Sequence, residues 1–399
     1  MTASRDSGAE VVIVGGGLEG TAAAWALASR GVTDVIVCER DTVASGGTGK
    51  SSGVVRCHYG VSSLAAMANH ALDLFENARE ILGTDIGFHQ TGYVVGVGPE
   101  NVEPLRASLA DQRAVGVRTE EIDRAEVAKL WPVADLDDFA AFAWEPRGGF
   151  GDAYSTAQAY AAAARREGVL IRQGTKVTEI IVRGERATGV KLADGSVIDA
   201  GTVVVAAGPW SVPLLAAHGI DLPIRIHRAQ LVLVDPHVDL RAAPVFSDLV
   251  SLQYIRPEVS GEILFGNSDL STLHPADPDS YANRADEDFL EVAVGKMAHR
   301  FPGLTEATVS SSYAGCYDIT PDFNPVISET PIAGLIAAAG FSGHGFKISP
   351  SVGTLIADLV TDGKSREPDV PESDFRLSRF AEGVLLRSPH PYQGAGEIR

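Results

Sequence analysis

Cysteine is scarce in this 399-residue chain: Cys38, Cys57 and Cys316 are the three. Their spacing makes neither a metal-ligand pattern nor a disulfide framework. Basic residues are also short, with 33 Lys and Arg against 52 Asp and Glu and a formal net charge of −19. That balance argues against nucleic acid and against an anionic membrane surface as partners. A small anionic substrate stays open, because a local basic pair outweighs a distant field. No apolar run reaches membrane-spanning length, so no membrane insertion is expected. Met1–Glu10 is polar and lacks the charged-then-apolar order of a secretion signal, so a cytoplasmic location is expected. Internal repeats are absent as well. What remains is a composition 45% hydrophobic and 21% charged, that of a globular protein with ample core. The length suggests two domains or one elaborate one.

The apolar run Glu10 to Val14 is followed at once by Gly15-Gly16-Gly17-Leu18-Glu19-Gly20 and then by the Ala-rich stretch Thr21 to Ser29. This reads as strand, tight glycine turn, helix. Gly31 ends the helix, and Val35 to Cys38 is a second strand closed by Glu39. Gly15, Gly17 and Gly20 fit the dinucleotide fingerprint: one for the turn, one for close approach to a pyrophosphate, one for helix–strand packing. Glu39 stands nineteen positions after Gly20, where an acid accepts hydrogen bonds from an adenosine ribose. Gly96-Val97-Gly98 lacks a third glycine and a following helix, so one flavin dinucleotide is expected rather than a nicotinamide–flavin pair.

Ser45 to Gly53 is a Gly/Ser/Thr loop that runs into Val54-Val55-Arg56-Cys57-His58-Tyr59. Ser63 to Leu82 has helical periodicity. Tyr93 to Val97 reads as a strand, Leu105 to Val115 as helix, and Ser155 to Glu167 as another helix. Val177 to Val182 and Ala187 to Leu192 bracket a hairpin turn. Thr202 to Val205 is a buried strand ending in Ala206-Ala207-Gly208-Pro209-Trp210. Beyond residue 222, Ile224–Ile226, Leu231–Val234, Leu252–Ile255 and Ile263–Gly266 read as short alternating strands of an antiparallel sheet. The strand Leu335 to Ala339 then leads into Phe341-Ser342-Gly343-His344-Gly345-Phe346-Lys347, ahead of a helix over Val352 to Val360. A glycine-rich turn thus carries a His and a Lys to a helix N-terminus, whose free N–H groups and dipole suit an anionic or electron-accepting group.

With these pieces in hand, the chain resembles the D-amino-acid oxidase-like FAD-dependent amine oxidoreductases, in particular the sarcosine oxidase and N-methyl amino acid oxidase branch. The resemblance runs from about Val11 to Asp362. It rests on the fingerprint with Glu39, on Val54-Val55-Arg56 followed by Tyr59, on Ala206 to Trp210, on Tyr317-Asp318-Ile319-Thr320-Pro321-Asp322, and on Gly340 to Lys347. It implies an α/β (α+β) fold: a Rossmann-type FAD-binding domain with an inserted antiparallel-sheet substrate domain. Residues 1–84, 146–222 and 328–383 are expected in the first, 85–145 and 223–327 in the second, with 384–399 as a polar tail. The implied reaction oxidises the C–N bond of a carboxylate-bearing amine. A hydride equivalent passes to flavin, the imine hydrolyses, and O2 or another acceptor takes the electrons.

In the family an Arg and a Lys clamp the substrate carboxylate, and Arg56 and Lys347 match them. A guanidinium suits bidentate carboxylate binding. A structural ion pair for Arg56, and a helix-end or flavin-carbonyl role for Lys347, are the competing readings. Tyr317 and Tyr254 are candidates for the substrate wall or plain core aromatics. His58 shares the strand face of Arg56, and His344 fits the flavin-holding turn better than a general base. Candidate cofactor contacts are Gly15, Gly17, Leu18, Gly20, Glu39, Arg40, Ser51, Ser52, Gly53, Val177, Ala207, Gly208, Trp210, Gly343, His344, Gly345, Phe346 and Lys347. The cysteine that tethers flavin in single-chain sarcosine oxidases aligns with Gly315, one residue before Cys316, so the resemblance implies non-covalent FAD. Ala153-Tyr154-Ser155 lacks the histidine that carries a second flavin in the heteromeric branch. Leu264 stands where those oxidases place an oxygen-activating lysine, which keeps a dehydrogenase using a quinone or carrier, a biosynthetic desaturase and a flavin subunit of a larger complex in view.

Overall fold

The computed structural model describes residues 7–269 and 274–394. Residues 1–6 of the first expected segment, 270–273, and the last five of the expected tail lie outside the described residues.

Runs of Val and Ile without polar alternation form strands buried on both faces, which is the habit of parallel sheets. Gly8–Val14, Val35–Cys38 and Leu170–Arg172 pair in parallel on one side, and Val197–Val205 and Leu335–Ala339 on the other. Val326–Glu329 closes that edge antiparallel, and the hairpin Val177–Arg183/Arg186–Leu192 extends Val197–Val205. The result is an eight-stranded sheet visited by three separated stretches of chain. Helix Leu18–Ser29 packs on it with Ala22, Ala23 and Ala24 fully buried. Such small side chains let helix Gly345–Asp362 approach closely: a Cβ on Gly353 would lie 2.6 Å from the Ala22 carbonyl oxygen.

The second sheet has nine strands and is mostly antiparallel. Tyr93–Val97, Ala141–Glu145 and Glu120–Ile122 join Val245–Asp248, Gln253–Pro257, Ile263–Asn267 and the long pair Arg225–Asp235/Thr308–Ile319. Phe142, Phe246, Phe265 and Trp131 fill the core on one face. The opposite face carries Tyr93, Val95, Val245 and Tyr254. The expected α/β architecture with an antiparallel second sheet is therefore the architecture found. Among the described residues no helix is long and apolar enough to cross a membrane.

Three local readings shift. The helix expected over Val352 to Val360 begins at Gly345, with His344 as N-cap and Pro350 inside it. Pro350 is the sixth residue of this helix, in its second turn, and leaves the Phe346 carbonyl without its intrahelical donor. Lys347 consequently lies in the first turn rather than in the loop. Helix Ser62–Glu76 breaks at Asn77, before a short turn Ala78–Ile81. The polar tail also has a buried anchor: Tyr392 is 5% exposed.

Candidate active site: a dinucleotide cradle with a buried cationic end

A cavity of about 700 Å³ runs along the carboxyl ends of Gly8–Val14 and Val35–Cys38. The glycine turn opens it. Gly15 has φ +110°, and a Cβ there would sit 2.4 Å from the Ala206 carbonyl oxygen. A Cβ on Gly20 would lie 2.0 Å from the Gly15 carbonyl oxygen, so helix and turn meet only through glycine. Gly17 caps the helix without a side-chain hydrogen bond. Its N-terminal end, Gly17 to Glu19, lines the cavity and suits a pyrophosphate.

Glu39 closes the second strand as expected. Its Oε2 accepts from the Gly16 N–H at 2.7 Å and its Oε1 from the Asp41 N–H at 2.8 Å. The carboxylate thus fixes the glycine turn, and each oxygen retains a lone pair for a ribose hydroxyl. Beyond it the Arg40 guanidinium stacks 3.9 Å over the Trp210 ring. Asp279 joins both, accepting from Arg40 Nη1 at 2.9 Å and from Trp210 Nε1 at 3.0 Å. Ser51, Ser52, Val177, Ala207 and Gly208 complete this half of the lining. Gly53 does not line the cavity; it holds the loop by accepting from the Gly151 N–H at 2.8 Å.

At the other end Gly343, Gly345, Phe346 and Tyr317 line the cavity. A Cβ on Gly343 would stand 3.0 Å from Tyr317 Cζ, so the phenol covers the turn. Strand register places Tyr313, Gly315 and Tyr317 on one face of Thr308–Ile319, opposite Leu231, Ala229 and His227. Cys316 alternates to the other face of the strand, opposite Arg228, although it too borders the cavity. Gly315 packs on Lys50: its Cβ would lie 2.7 Å from Lys50 Cβ.

Arg56, His58, Tyr254, His344 and Lys347 stand outside the cavity lining, behind this end. Arg56 and Lys347 are each 6% exposed. The Arg56 guanidinium lies 4.3 Å from the Tyr59 ring and 5.9 Å from the Tyr93 ring. Tyr59 Oη is 3.1 Å from His344 Nδ1, and Lys347 Nζ donates to the Gly343 carbonyl at 3.4 Å. The aromatic pair Tyr59 and His344 therefore connects Arg56 to the Gly343–Lys347 turn. A lysine in the first turn of a helix opposes the helix dipole, which marks Lys347 as serving something other than helix stability. Tyr254 lies on the neighbouring sheet over Gly266. His58 is 1% exposed, with Nε2 2.8 Å from Tyr392 Oη. Leu264 is fully buried and pairs with Arg256 and Leu233.

Burial shapes the charges here. It raises the Glu145 carboxyl to about 7, while the Cys57 N–H at 2.7 Å and the nearby Arg56 pull it down. It raises Asp318 to about 6 despite a hydrogen bond from the Gly340 N–H at 2.8 Å. Burial, and then Asp318, pushes Glu19 well above the carboxylate range, and Glu19 Oε2 has no hydrogen-bond partner. Sequence reading missed Glu19, Thr48, Lys50 and Asp279 in the lining, and Tyr93, Glu145 and Tyr392 behind it. Glu19 stood inside the fingerprint and Tyr59 inside a quoted motif. Asp279 and Tyr392 gave no local signal, since only the tertiary fold brings them near.

The donor set fits a flavin dinucleotide. A glycine turn that admits no Cβ at Gly15 or Gly20, a helix N-terminus whose Leu18 N–H goes to Thr48 Oγ1 at 3.0 Å, an acid at the ribose position and an aromatic end lie along one cavity. Comparison with known proteins agrees. The profile of the family described as "FAD dependent oxidoreductase" matches residues 10–359. The chain is 29% identical over 388 residues to an Arthrobacter sp "Sarcosine oxidase subunit beta", covering 94% of this chain and 92% of that protein. Among solved structures, L-proline dehydrogenase from P.horikoshii superposes with a TM-score of 0.87 at 28% identity, covering 95% of this chain and 99% of that one. Glycine oxidase from Geobacillus kaustophilus gives a TM-score of 0.78 at 25% identity, covering 95% and 98%. With residues 10–359 matched, the chain belongs to the D-amino-acid oxidase-like family of FAD-dependent oxidoreductases.

Proposed function

We propose that this enzyme oxidises the C–N bond of an amino acid or N-alkyl amino acid. The observation that carries the reading is that two buried basic side chains, Arg56 and Lys347, stand behind the end of the cavity bounded by Gly343–Phe346, with Tyr59 between Arg56 and His344 of that turn. A substrate carboxylate can be held there by the planar guanidinium on one side and the ammonium on the other. Bound FAD supplies the two-electron acceptor. Tyr317 and Tyr254 form the wall that positions the amine, and the surrounding apolar residues exclude water. No general base is needed when the amine binds uncharged. Residue 315 is a glycine and Cys316 lies on the opposite strand face from it, which supports a non-covalent cofactor. Leu264 leaves its position without a cation and supports electron transfer to an acceptor other than O2 as the second reading. The name of the Arthrobacter relative supports a further possibility, work as one subunit of a complex. All three cysteines are free thiols, which suits a reducing cytoplasm.

The test is anaerobic mixing of the FAD-loaded protein with sarcosine, glycine, L-proline and a panel of other amino acids, followed by air. Bleaching of the flavin by one class, with the colour then restored, is the expected outcome. Fast restoration in air with peroxide marks an oxidase, and slow restoration a dehydrogenase. A flavin that no member of the panel reduces overturns the reading.

A further inference from the structure

The carboxylate-binding role proposed for Arg56 makes its immobility a question, and the local backbone does not supply it. The strand that delivers Arg56 is only Val54–Val55, paired with Gly149–Phe150. Residues 56–60 belong to no helix or sheet ladder. Arg56 Nη1 nevertheless donates to the His58 carbonyl, which fixes the guanidinium only as firmly as that carbonyl is fixed.

Side chains from distant segments hold this stretch. The Cys57 N–H donates to Glu145 Oε2 at 2.7 Å. Gln112 Nε2 donates to the Tyr59 carbonyl at 3.1 Å and stands 3.4 Å from His58 Nδ1. The other face of the imidazole belongs to the tail. Tyr392 Oη is 2.8 Å from His58 Nε2, and the two rings stack at 5.9 Å with 10° between their planes. Tyr392 is buried among Val54, Tyr93, Val95 and Phe150, beneath the Arg56 turn. Its neighbour is clamped twice: the Gln393 N–H donates to Asn101 Oδ1 at 2.8 Å, and Asn101 Nδ2 donates to the Gln393 carbonyl at 3.1 Å. Six residues before Tyr392 the tail is anchored again. The Leu386 N–H donates to Asp322 Oδ2 at 3.0 Å, and Asn324 Nδ2 donates to the Leu386 carbonyl at 2.9 Å. The segment between is largely exposed. It is a strap fastened near the parallel sheet at one end and on the antiparallel sheet at the other.

We infer that Tyr392 is a positioning residue for Arg56: the C-terminal strap locks the His58 imidazole, His58 holds its own carbonyl in place, and that carbonyl aims the guanidinium at the substrate carboxylate. The inference rests on the carboxylate-clamp reading above. It predicts that the tail tunes substrate affinity without touching substrate or flavin.

The experiment uses the FAD-loaded full-length chain with the fastest reductant of the panel, sarcosine being tried first. The concentration dependence of anaerobic flavin reduction separates the apparent Kd from the limiting rate. Tyr392→Phe keeps the ring and removes the hydroxyl. It should raise the apparent Kd about five- to tenfold, the size of one lost hydrogen bond to a positioning group, and change the limiting rate less than about twofold. FAD content and thermal midpoint should stay near those of the parent. Asn101→Ala, which unfastens the strap and leaves Tyr392 itself intact, should move Kd the same way. In the double variant Arg56→Ala/Tyr392→Phe the Tyr392 effect should vanish, because nothing remains to be aimed. A Tyr392→Phe enzyme with parental Kd overturns the inference while leaving the clamp standing. So does an effect that persists in full without Arg56, or one that tracks loss of FAD or stability. An Arg56→Ala enzyme that binds the amino acid as the parent does, or a parent that no panel member reduces, overturns the clamp reading and this inference with it.

Discussion

The two ends of the cavity hold charge in opposite ways. At the Arg40–Trp210–Asp279 end the ions are partly in water, with the Arg40 side chain 33% and the Asp279 side chain 56% exposed. They pair with each other, and the glycine turn is set by backbone and by Glu39. At the Arg56–Lys347 end the basic side chains are buried, and Arg56 lies over the Tyr59 ring. Exposed pairs contribute little and are easily spared. Buried charges are screened little by water, so each interaction there counts for more. On the proposed function, the first end grips by shape and the second by charge.

The sharpest way to break this contrast is at the turn itself. Gly20→Val should abolish FAD binding, because even a Cβ there falls 2.0 Å from the Gly15 carbonyl oxygen. Absorbance of the purified protein checks this; a yellow variant with parental flavin content refutes grip by shape. Arg56→Ala is next. It should raise the apparent Kd of the amino acid roughly 100-fold, the scale of a lost charged hydrogen-bond pair, and leave FAD bound. Arg56→Lys should recover only part, since an ammonium cannot reproduce the fork.

A smaller effect belongs to Glu145. Its folded pKa, about 7, lies above the ordinary 4.5 because of burial. The protonated form is favoured by the fold, so this stabilisation is full below about pH 4.5 and lost as pH rises through about 7. The parent should therefore lose part of its resistance to urea between pH 5 and 8, on the order of 1–3 kcal/mol from this group. Glu145→Gln keeps an oxygen for the Cys57 N–H and should flatten that slope. An unchanged slope removes Glu145 from the account. The smallest effect is expected from Asp279→Ala. It should weaken FAD binding by less than about 1 kcal/mol, read by titration of the apoprotein, and leave substrate affinity untouched.

How much of this was legible in the chain depends on distance. The glycine turn and Glu39 were readable because strand, turn, helix and acid follow one another within thirty-odd residues, each with its own stereochemical need. The apolar strands and the antiparallel character of the second sheet were readable from period alone. The start of the Gly345–Asp362 helix was misplaced because Pro350 argues for a boundary, whereas the helix runs through it in its second turn. Asp279 and Tyr392 carry ordinary side chains in polar, proline-containing stretches. Their partners, Arg40 and His58, are 239 and 334 positions away, and no local rule spans such a gap. Glu145 closes a strand pattern, so nothing in the sequence said that its carboxyl is buried beside Arg56.

The three visits of the chain to the parallel sheet also set an order of events during synthesis. The Gly15 turn leaves the ribosome early, but the strand that braces it ends at Val205 and the turn that closes the cavity lies at Gly343. Non-local parallel pairing of this kind is slow, because long loops must close before any contact rewards them. A nascent chain stopped before residue 343 therefore carries the fingerprint without a complete cradle. Uptake of flavin should appear only once the Gly343 turn has emerged, which makes the cofactor a reporter of completed folding rather than a template for its beginning.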